Sequence, residues 1–535
     1  MQTSPLVSWR RRATLGLGLG LVLPFSALPS GALAEAPRRG GTLRMLIQPE
    51  PAALCTIATT AGAENRVSPK VHEGLLTYDF ALNPLPQLAT AWEVSADALE
   101  YRFTLRSGVR WHDGKPLTAR DVATSVALLK EHHPRGRSTF ANVREVRTPD
   151  PLTAIIVLSR PAPYLIYALA ASESPIVADH LYGEGNPVTN PAQLRPIGTG
   201  PFRFREWRKG DYILYDRNPD YWDQPKPYLD QLLLKVLPDA SARAAALETG
   251  ELDIGPDTPV PFSDIARLKA LPQLDIDTRG YDYTGGQSQL EFNLDNPILK
   301  NVTVRQAIAH AIDRRVILNT IRFGYGAISP TPIPPNQRFH AAVPTFPFDP
   351  KRAEALLDEA GYRRGQGGIR FTLTHDYNPF HPSTQQMAAY VRQALARIGI
   401  SVSLRSQDFA AFVRRIYTDR DYDMAINLYS AMFDPTVGLQ RAYWSKNIKR
   451  GLPFSNGSGY ANPEVDRLLE AAAVEPDPAK RYALFREFQE IVGREVPMVT
   501  LVTHDQVTIF NRRVRDHTVD GLGLNGNLAG VWLAT

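Results

Sequence analysis

The sequence predicts a mixed α/β protein with more than one domain, on three observations. Stretches of strand-like alternation and helix-like spacing take turns along the chain. Three helices carry a proline-marked start. About 500 residues remain after an N-terminal leader, more than one hydrophobic core usually organises.

The leader comes first. Arg10, Arg11 and Arg12 precede an apolar stretch from Ala13 to Leu28, and Ala32-Leu33-Ala34 supplies a small-x-small cleavage site, the plan of a removed export signal (residues 1–34). The mature chain is then expected to begin at Glu35. Pro24 breaks the apolar stretch, which falls short of the roughly 20 residues that cross a bilayer, so removal is favoured over a permanent anchor. The paired arginines partly fit a twin-arginine signal, but Thr14 stands where that pattern has Phe, and both export routes stay open. Gly16-Leu17-Gly18-Leu19-Gly20 lies inside the apolar core with no strand before it, which excludes a phosphate-binding loop.

The full chain has 60 basic and 55 acidic residues; removing the leader takes away three arginines and no acid, which leaves 57 against 55. So balanced a surface has no footprint for nucleic acid. The single cysteine, Cys55, cannot form an internal disulfide and reads as a small packed residue. There is no CxxC, HExxH or GxSxG, so no familiar zinc site or hydrolase elbow is present, and His132-His133 has no third ligand at metal spacing. No cofactor or metal is expected.

Along the mature chain, Tyr101–Arg106 alternates apolar and polar residues, the period of a half-buried strand. Thr118-Ala119-Arg120-Asp121 has the form of a capping box, with Val122, Val126 and Leu129 following at helical spacing. Asp349-Pro350, Asn462-Pro463 and Asp477-Pro478 each place a side-chain acceptor at the N-cap and proline at the first helical position, where no amide hydrogen is needed. After Asp349, the residues Ala353, Leu356, Leu357 and Ala360 form one apolar face, and Gly361 supplies the stop. Val304, Ala307, Ile308, Ala311 and Ile312 form a second such face. Strands are expected at Phe371–Thr374, Ile400–Leu404 and Asp423–Leu428, with a helix from Met387 to Ile398 between the first two. This βαβ rhythm predicts sheets covered by helices.

In open α/β sheets, ligands bind beyond the carboxyl ends of strands. Three loops are expected there: Gln48-Pro49-Glu50-Pro51, His375-Asp376-Tyr377-Asn378 and Tyr429-Ser430-Ala431-Met432-Phe433-Asp434. Their aromatic and polar mixture suits a concave site for an organic ligand. The adjacent His375 and Asp376 are a weak base-and-orienter pair, since chain neighbours commonly point two ways, so a periplasmic hydrolase is the lesser reading.

Several segments resemble the bacterial extracellular solute-binding proteins of family 5, the oligopeptide- and dipeptide-binding proteins. They are Val71–Asp79, Leu88–Ser95, Tyr101–Val122 (YRFTLRSGVRWHDGKPLTARDV), Gly198–Phe202, Asn218–Trp222, Gly250–Asp253, Val304–Ala307, Phe348–Tyr362 and Asn462–Asp466, in order over nearly the whole mature chain. The resemblance implies a two-lobed periplasmic binding protein with a hinge and an extra inserted domain. The base lobe would comprise 35–71, 185–278 and 497–535, the inserted domain 72–184, and the second lobe 279–496. It implies no catalysis, and a monomer in the periplasm that closes on a small peptide or peptide-like solute and delivers it to membrane permease subunits driven by an ATPase. With Tyr283, the expected ligand contacts are Gln48, Glu50, His375, Tyr377, Asn427, Tyr429, Ser430, Ala431, Phe433 and Asp434. Trp111-His112-Asp113 and Gly198–Pro201 are expected to shape turns and lobe edges instead.

Peptide binders of this family hold the ligand's amino terminus with an aspartate a few residues before an Asp-Pro element. Here Asp434-Pro435 is that later element, and the position of the acid falls near Ala431. A buried ammonium with no partner costs several kcal/mol. A modified peptide, an opine, a sugar-containing metabolite or a metal chelate therefore stands beside peptide, unless Asp434 or Glu50 supplies the acid. Arg405 is one candidate for a ligand carboxylate.

Overall fold

The computed structural model describes residues 35–183, 185–379 and 382–535, and Arg38–Thr535 form a single compact unit. The export-signal reading falls on residues 1–34, outside the described residues.

Strand Thr42–Ile47 is a mid-sheet strand of a seven-stranded sheet whose order is 274–277, 508–511, 254–255, 42–47, 231–236, 212–217, 202–208. It runs parallel to Gln231–Val236 and to Ile254–Gly255, while the other neighbours pair antiparallel. Three stretches far apart in sequence, 42–47, 202–277 and 508–511, thus build one sheet. Leu43, Met45, Ile47, Leu232 and Leu234 are its buried centre.

Between the first and second parts of this sheet lies the inserted domain. Its four strands are ordered 89–94, 100–105, 153–158, 143–150, all antiparallel. Strand Glu100–Leu105 buries Tyr101, Phe103 and Leu105 and exposes the residues between them. Helix Ala119–His132 covers the sheet with Val122, Val126 and Leu129, and its start is the expected capping box: Thr118 N donates to Asp121 Oδ2 at 2.7 Å.

The second lobe is a five-stranded mixed sheet, ordered 400–405, 371–377, 424–430, 286–292, 498–503. Strand Phe371–Tyr377 runs parallel to Ile400–Arg405 and Met424–Ser430, and the other pairings are antiparallel. The three proline-marked helices, Pro350–Glu359, Pro463–Val474 and Pro478–Glu495, begin where expected, capped by Asp349, Asn462 and Asp477. Gly361 at φ +87° follows the first of them.

Two boundaries differ from expectation. The second lobe does not end at 496, because Met498–Thr503 is an edge strand of its sheet. The strands beginning at Phe371 and Met424 run on to Tyr377 and Ser430, so residues expected in loops, His375 to Tyr377 and Tyr429-Ser430, are paired in the sheet. The physical reason is that partners outside the local segment, 286–292 above all, satisfy their backbone groups.

Three of the segments that carry the resemblance, Val71–Asp79, Gly198–Phe202 and Asn218–Trp222, meet at a buried carboxylate. Glu73 accepts hydrogen bonds from Tyr221 (2.8 Å), Trp222 (2.9 Å), Thr199 (3.0 Å) and the C-terminal Asn527 (3.4 Å). Gly198 and Gly200 allow this junction to close: a Cβ on either would lie 1.8 and 2.6 Å from the Val71 carbonyl oxygen. Burial outweighs the four donors and pushes the Glu73 carboxyl up to about 7. Trp111 is fully buried beside this junction and His112 donates its backbone N–H to Gly198 O, so both shape the scaffold as expected.

Candidate functional site at the lobe interface

The chain crosses between lobes at residues 277–286 and again at 503–508. At the first crossing Gly280, at φ +81°, packs backbone to backbone on Gly523; a Cβ there would lie 2.6 Å from the Gly523 Cα. The Tyr281 hydroxyl accepts from Asp257 N at 3.0 Å and pairs with Thr508 Oγ1 at 2.6 Å, tying both crossings to the first lobe.

Beyond the hinge the lobes meet face to face. Tyr283, Met432 and Phe433 of the second lobe pack into the apolar cluster of the inserted domain. The Tyr283 ring lies 5.3 Å from Tyr78 and 5.0 Å from Phe433, and its hydroxyl donates to the Tyr167 carbonyl at 2.9 Å. Arg338 covers the Tyr167 ring at 4.2 Å and donates to Leu82 O at 3.1 Å. Gln337 holds the loop by donating to Met432 O at 2.9 Å. Met432 itself sits at φ +55°, a left-handed conformation that costs a non-glycine residue of order 1 kcal/mol and is retained here by those contacts.

The residues expected at the ligand divide into three groups. Tyr283 and Phe433 stand at the lobe interface, and Ser430, two residues before Met432, accepts from Met432 N through Oγ at 3.1 Å. Gln48 is exposed at the end of its strand, on a cavity of about 60 Å³ shared with Arg66, Arg243 and Asp257, whereas Glu50 accepts from Trp207 Nε1 (2.9 Å) and Gly210 N (3.0 Å). The rest lie inside the second lobe. Tyr429 donates to Glu291 at 2.8 Å, Asn427 donates to Tyr417 Oη at 2.5 Å, Ala431 is buried beside Leu439 and Tyr443, and Tyr377 is packed in the apolar core.

His375 and Asp376 point to opposite faces of their strand, as the two-residue side-chain period requires. His375 lies fully buried, with no hydrogen-bond partner among the described residues at either ring nitrogen, and burial pushes its pKa down to about 3. Asp376 is held by Arg405, Gln407 and Arg415. The pair forms no base-and-orienter dyad, and Arg405 is committed to Asp376. Asp434 is equally committed: Arg481 grips it with two bonds of 2.6 and 2.8 Å, both side chains buried, while Asp434 caps the short helix Pro435–Gly438 through Thr436 N.

The architecture is a pair of α/β lobes joined by two chain crossings, with an aromatic contact between them and an inserted domain on one side. The family model for bacterial extracellular solute-binding proteins, family 5 (middle), matches residues 83–451. The chain belongs to this family. It is 26% identical over 477 residues to the glutathione-binding protein GsiB of Salmonella paratyphi A, covering 87% of each chain. Its fold is similar to that of the oligopeptide-binding protein AppA from Bacillus subtilis, solved with a nonapeptide (TM-score 0.77, 26% identity, 94% of this chain and 100% of that one). It is also similar to AgaA from A. tumefaciens R10, solved with agropinic acid (TM-score 0.75, 27% identity, 92% and 99%). The chain is therefore a two-lobed solute-binding protein.

Sequence reasoning missed the charged part of the interface. Arg135 of the inserted domain is paired with Glu173 by two bonds, the longer 2.7 Å. Across from it, Arg441 stands on the short helix Gln440–Tyr443 that follows Asp434-Pro435. Arg441 is half-buried, and enclosure by protein lowers its pKa; the Arg135 guanidinium is close enough to act in the same direction. The available signal was a lone arginine among Leu439, Ala442 and Tyr443, all buried in one cluster.

Proposed function

We propose that this protein is the solute-binding component of an ABC importer, exported to the periplasm, where it encloses a small peptide or peptide-like solute between its lobes and delivers it unchanged to membrane permease subunits. The observation that carries the reading is the two-crossing hinge combined with an interface of aromatic rings and half-buried polar groups. Such an interface can open and re-form, and a ligand touching both lobes favours the closed form by the contacts absent from the open one. Ser430, Phe433 and Tyr283 are proposed as ligand neighbours, with Gln48 at the edge of the cleft. A monomer suffices, since one chain supplies both lobes. No activated nucleophile is needed, and His375, the histidine singled out in sequence, has neither a hydrogen-bond partner among the described residues nor an accessible face.

The test is native mass spectrometry of the protein purified from its own periplasm, with release of any accompanying small molecule. An intact solute, released on unfolding and re-bound on refolding, supports the reading. Turnover of peptides by the pure protein would overturn it.

A further inference from the structure

Resting on the hinged reading above, we infer that the consecutive side chains of Asn336, Gln337 and Arg338 form a latch between the lobes, one that fastens the second lobe to the inserted domain and ties that fastening to the hinge and to the interface loop.

The segment is held rigid by its own lobe. Pro334 and Pro335 precede it, and Ile333 and Phe339 on either side are buried in one apolar cluster of the second lobe, with the Phe339 ring 4.9 Å from that of Phe485. Gln337 N donates to Pro334 O at 3.0 Å, and the His340 ring bonds Ile333 O at 2.8 Å. Prolines and local bonds of this kind remove freedom that the segment would otherwise lose on closing.

From this base the three side chains diverge. Arg338 crosses to the inserted domain: its guanidinium covers the Tyr167 ring at 4.2 Å, and Nη2 donates to Leu82 O at 3.1 Å and, more weakly, to Ala81 O and Asn83 Oδ1 at 3.4 Å each. These acceptors sit on the turn between strands Leu76–Tyr78 and Pro84–Pro86, which Asp79 builds by accepting from Ala81 N (2.9 Å) and Asn83 N (2.8 Å). Gln337 is buried, and its Nε2 donates to Met432 O at 2.9 Å and to Asp282 O at 3.2 Å. Asn336 donates to the Asp282 carboxylate. Asp282 lies in the first chain crossing and Met432 in the interface loop, so three successive residues touch the hinge, the loop and the opposite lobe.

Arg338 is exposed, which puts its crossing contacts at the rim of the interface. They go to backbone carbonyls, an amide oxygen and an aromatic face, and they form whatever solute is held. Opening the hinge exchanges them for water. The latch therefore adds a fixed increment to the closed form, and the apparent affinity for every solute scales with the closed fraction that it helps to set.

Cys55 is the single cysteine and is buried, so spin labels can be placed on Val94→Cys of the inserted domain and Ile369→Cys of the second lobe, both exposed, and the distances between lobes read by double electron–electron resonance on the full chain. Arg338→Gln is expected to raise the open-to-closed ratio by about 5- to 30-fold, the effect of losing a cation–π contact and a hydrogen bond from a charged donor, with an unchanged circular dichroism spectrum. The same factor is expected when it is added to Tyr283→Ala, a background already shifted toward the open form. Arg338→Lys should recover part of the loss, since it returns the charge without the fork. A Tyr283→Ala/Arg338→Gln double variant no more open than Tyr283→Ala alone overturns the latch and leaves the hinged reading standing. One unchanged distance in the parent, both single variants and the double variant overturns both.

Discussion

Two buried carboxylates in this protein show how partners decide what an acidic residue does. Asp434 lies in the loop where a ligand's amine would be sought, yet its two oxygens face Arg481 in fork geometry with both side chains sealed from water. Removing one member strands the other: Arg481→Met is expected to cost about 3–5 kcal/mol of stability, measurable as a lowered urea midpoint. Glu73 has no cationic partner among the described residues. Its carboxyl is pushed up to about 7 against an ordinary 4.5, so the stability it contributes is fully present below about pH 4.5 and is lost as pH rises through 7. His72 and His375 run the other way. Burial pushes both down to about 3, so they weaken the fold as pH falls below their ordinary 6.5. Urea midpoints from pH 4.5 to 8 should therefore fall less steeply between 4.5 and 7 in Glu73→Gln than in the parent protein.

At the scale of elements, the features most legible in the sequence were those written in adjacent residues. Proline after Asp or Asn started three helices, because a capping oxygen and a missing amide hydrogen are local chemistry. The motifs GTGPF and NPDYW were legible as family marks, and their common meeting point at Glu73 was not. Strand ends were misplaced for the same reason: whether Tyr377 or Ser430 continues a strand depends on a neighbour some fifty or more residues away. The loop from Ala431 to Asp434 depends on one such neighbour. Gly438 lies so close to it that a Cβ would sit 2.3 Å from Ala431 O, so Gly438→Ala is expected to cost about 1–3 kcal/mol and lower the melting temperature. Ala431→Asp would set a carboxylate among Leu439, Ala442 and Tyr443 inside the lobe, not in the cleft.

For the whole molecule, the quantity that governs function is the balance between open and closed lobes. Tyr283 contributes one ring contact, with Tyr78, and a hydrogen bond across the interface, each worth roughly 0.5–1.5 kcal/mol. Tyr283→Ala is expected to shift the balance toward the open form by tenfold or more, seen as a larger radius of gyration in small-angle scattering without loss of secondary structure. An unchanged radius would mean that the hinge contacts around Tyr281 and Arg338 hold the lobes together unaided.

Composition, capping signals, the alternation of strand and helix, and the ordered motifs were enough to determine an α/β solute-binding protein with an inserted domain, because each is set by neighbouring residues or by their order. The tertiary structure alone decided which charges are free. Asp434, Glu50 and Arg405 were each reasonable ligand partners in sequence; Arg481 (47 residues on), Trp207 (157 residues away) and Asp376 (29 residues back) have taken them. Pairing depends on distance in space, and sequence separation sets no bound on that.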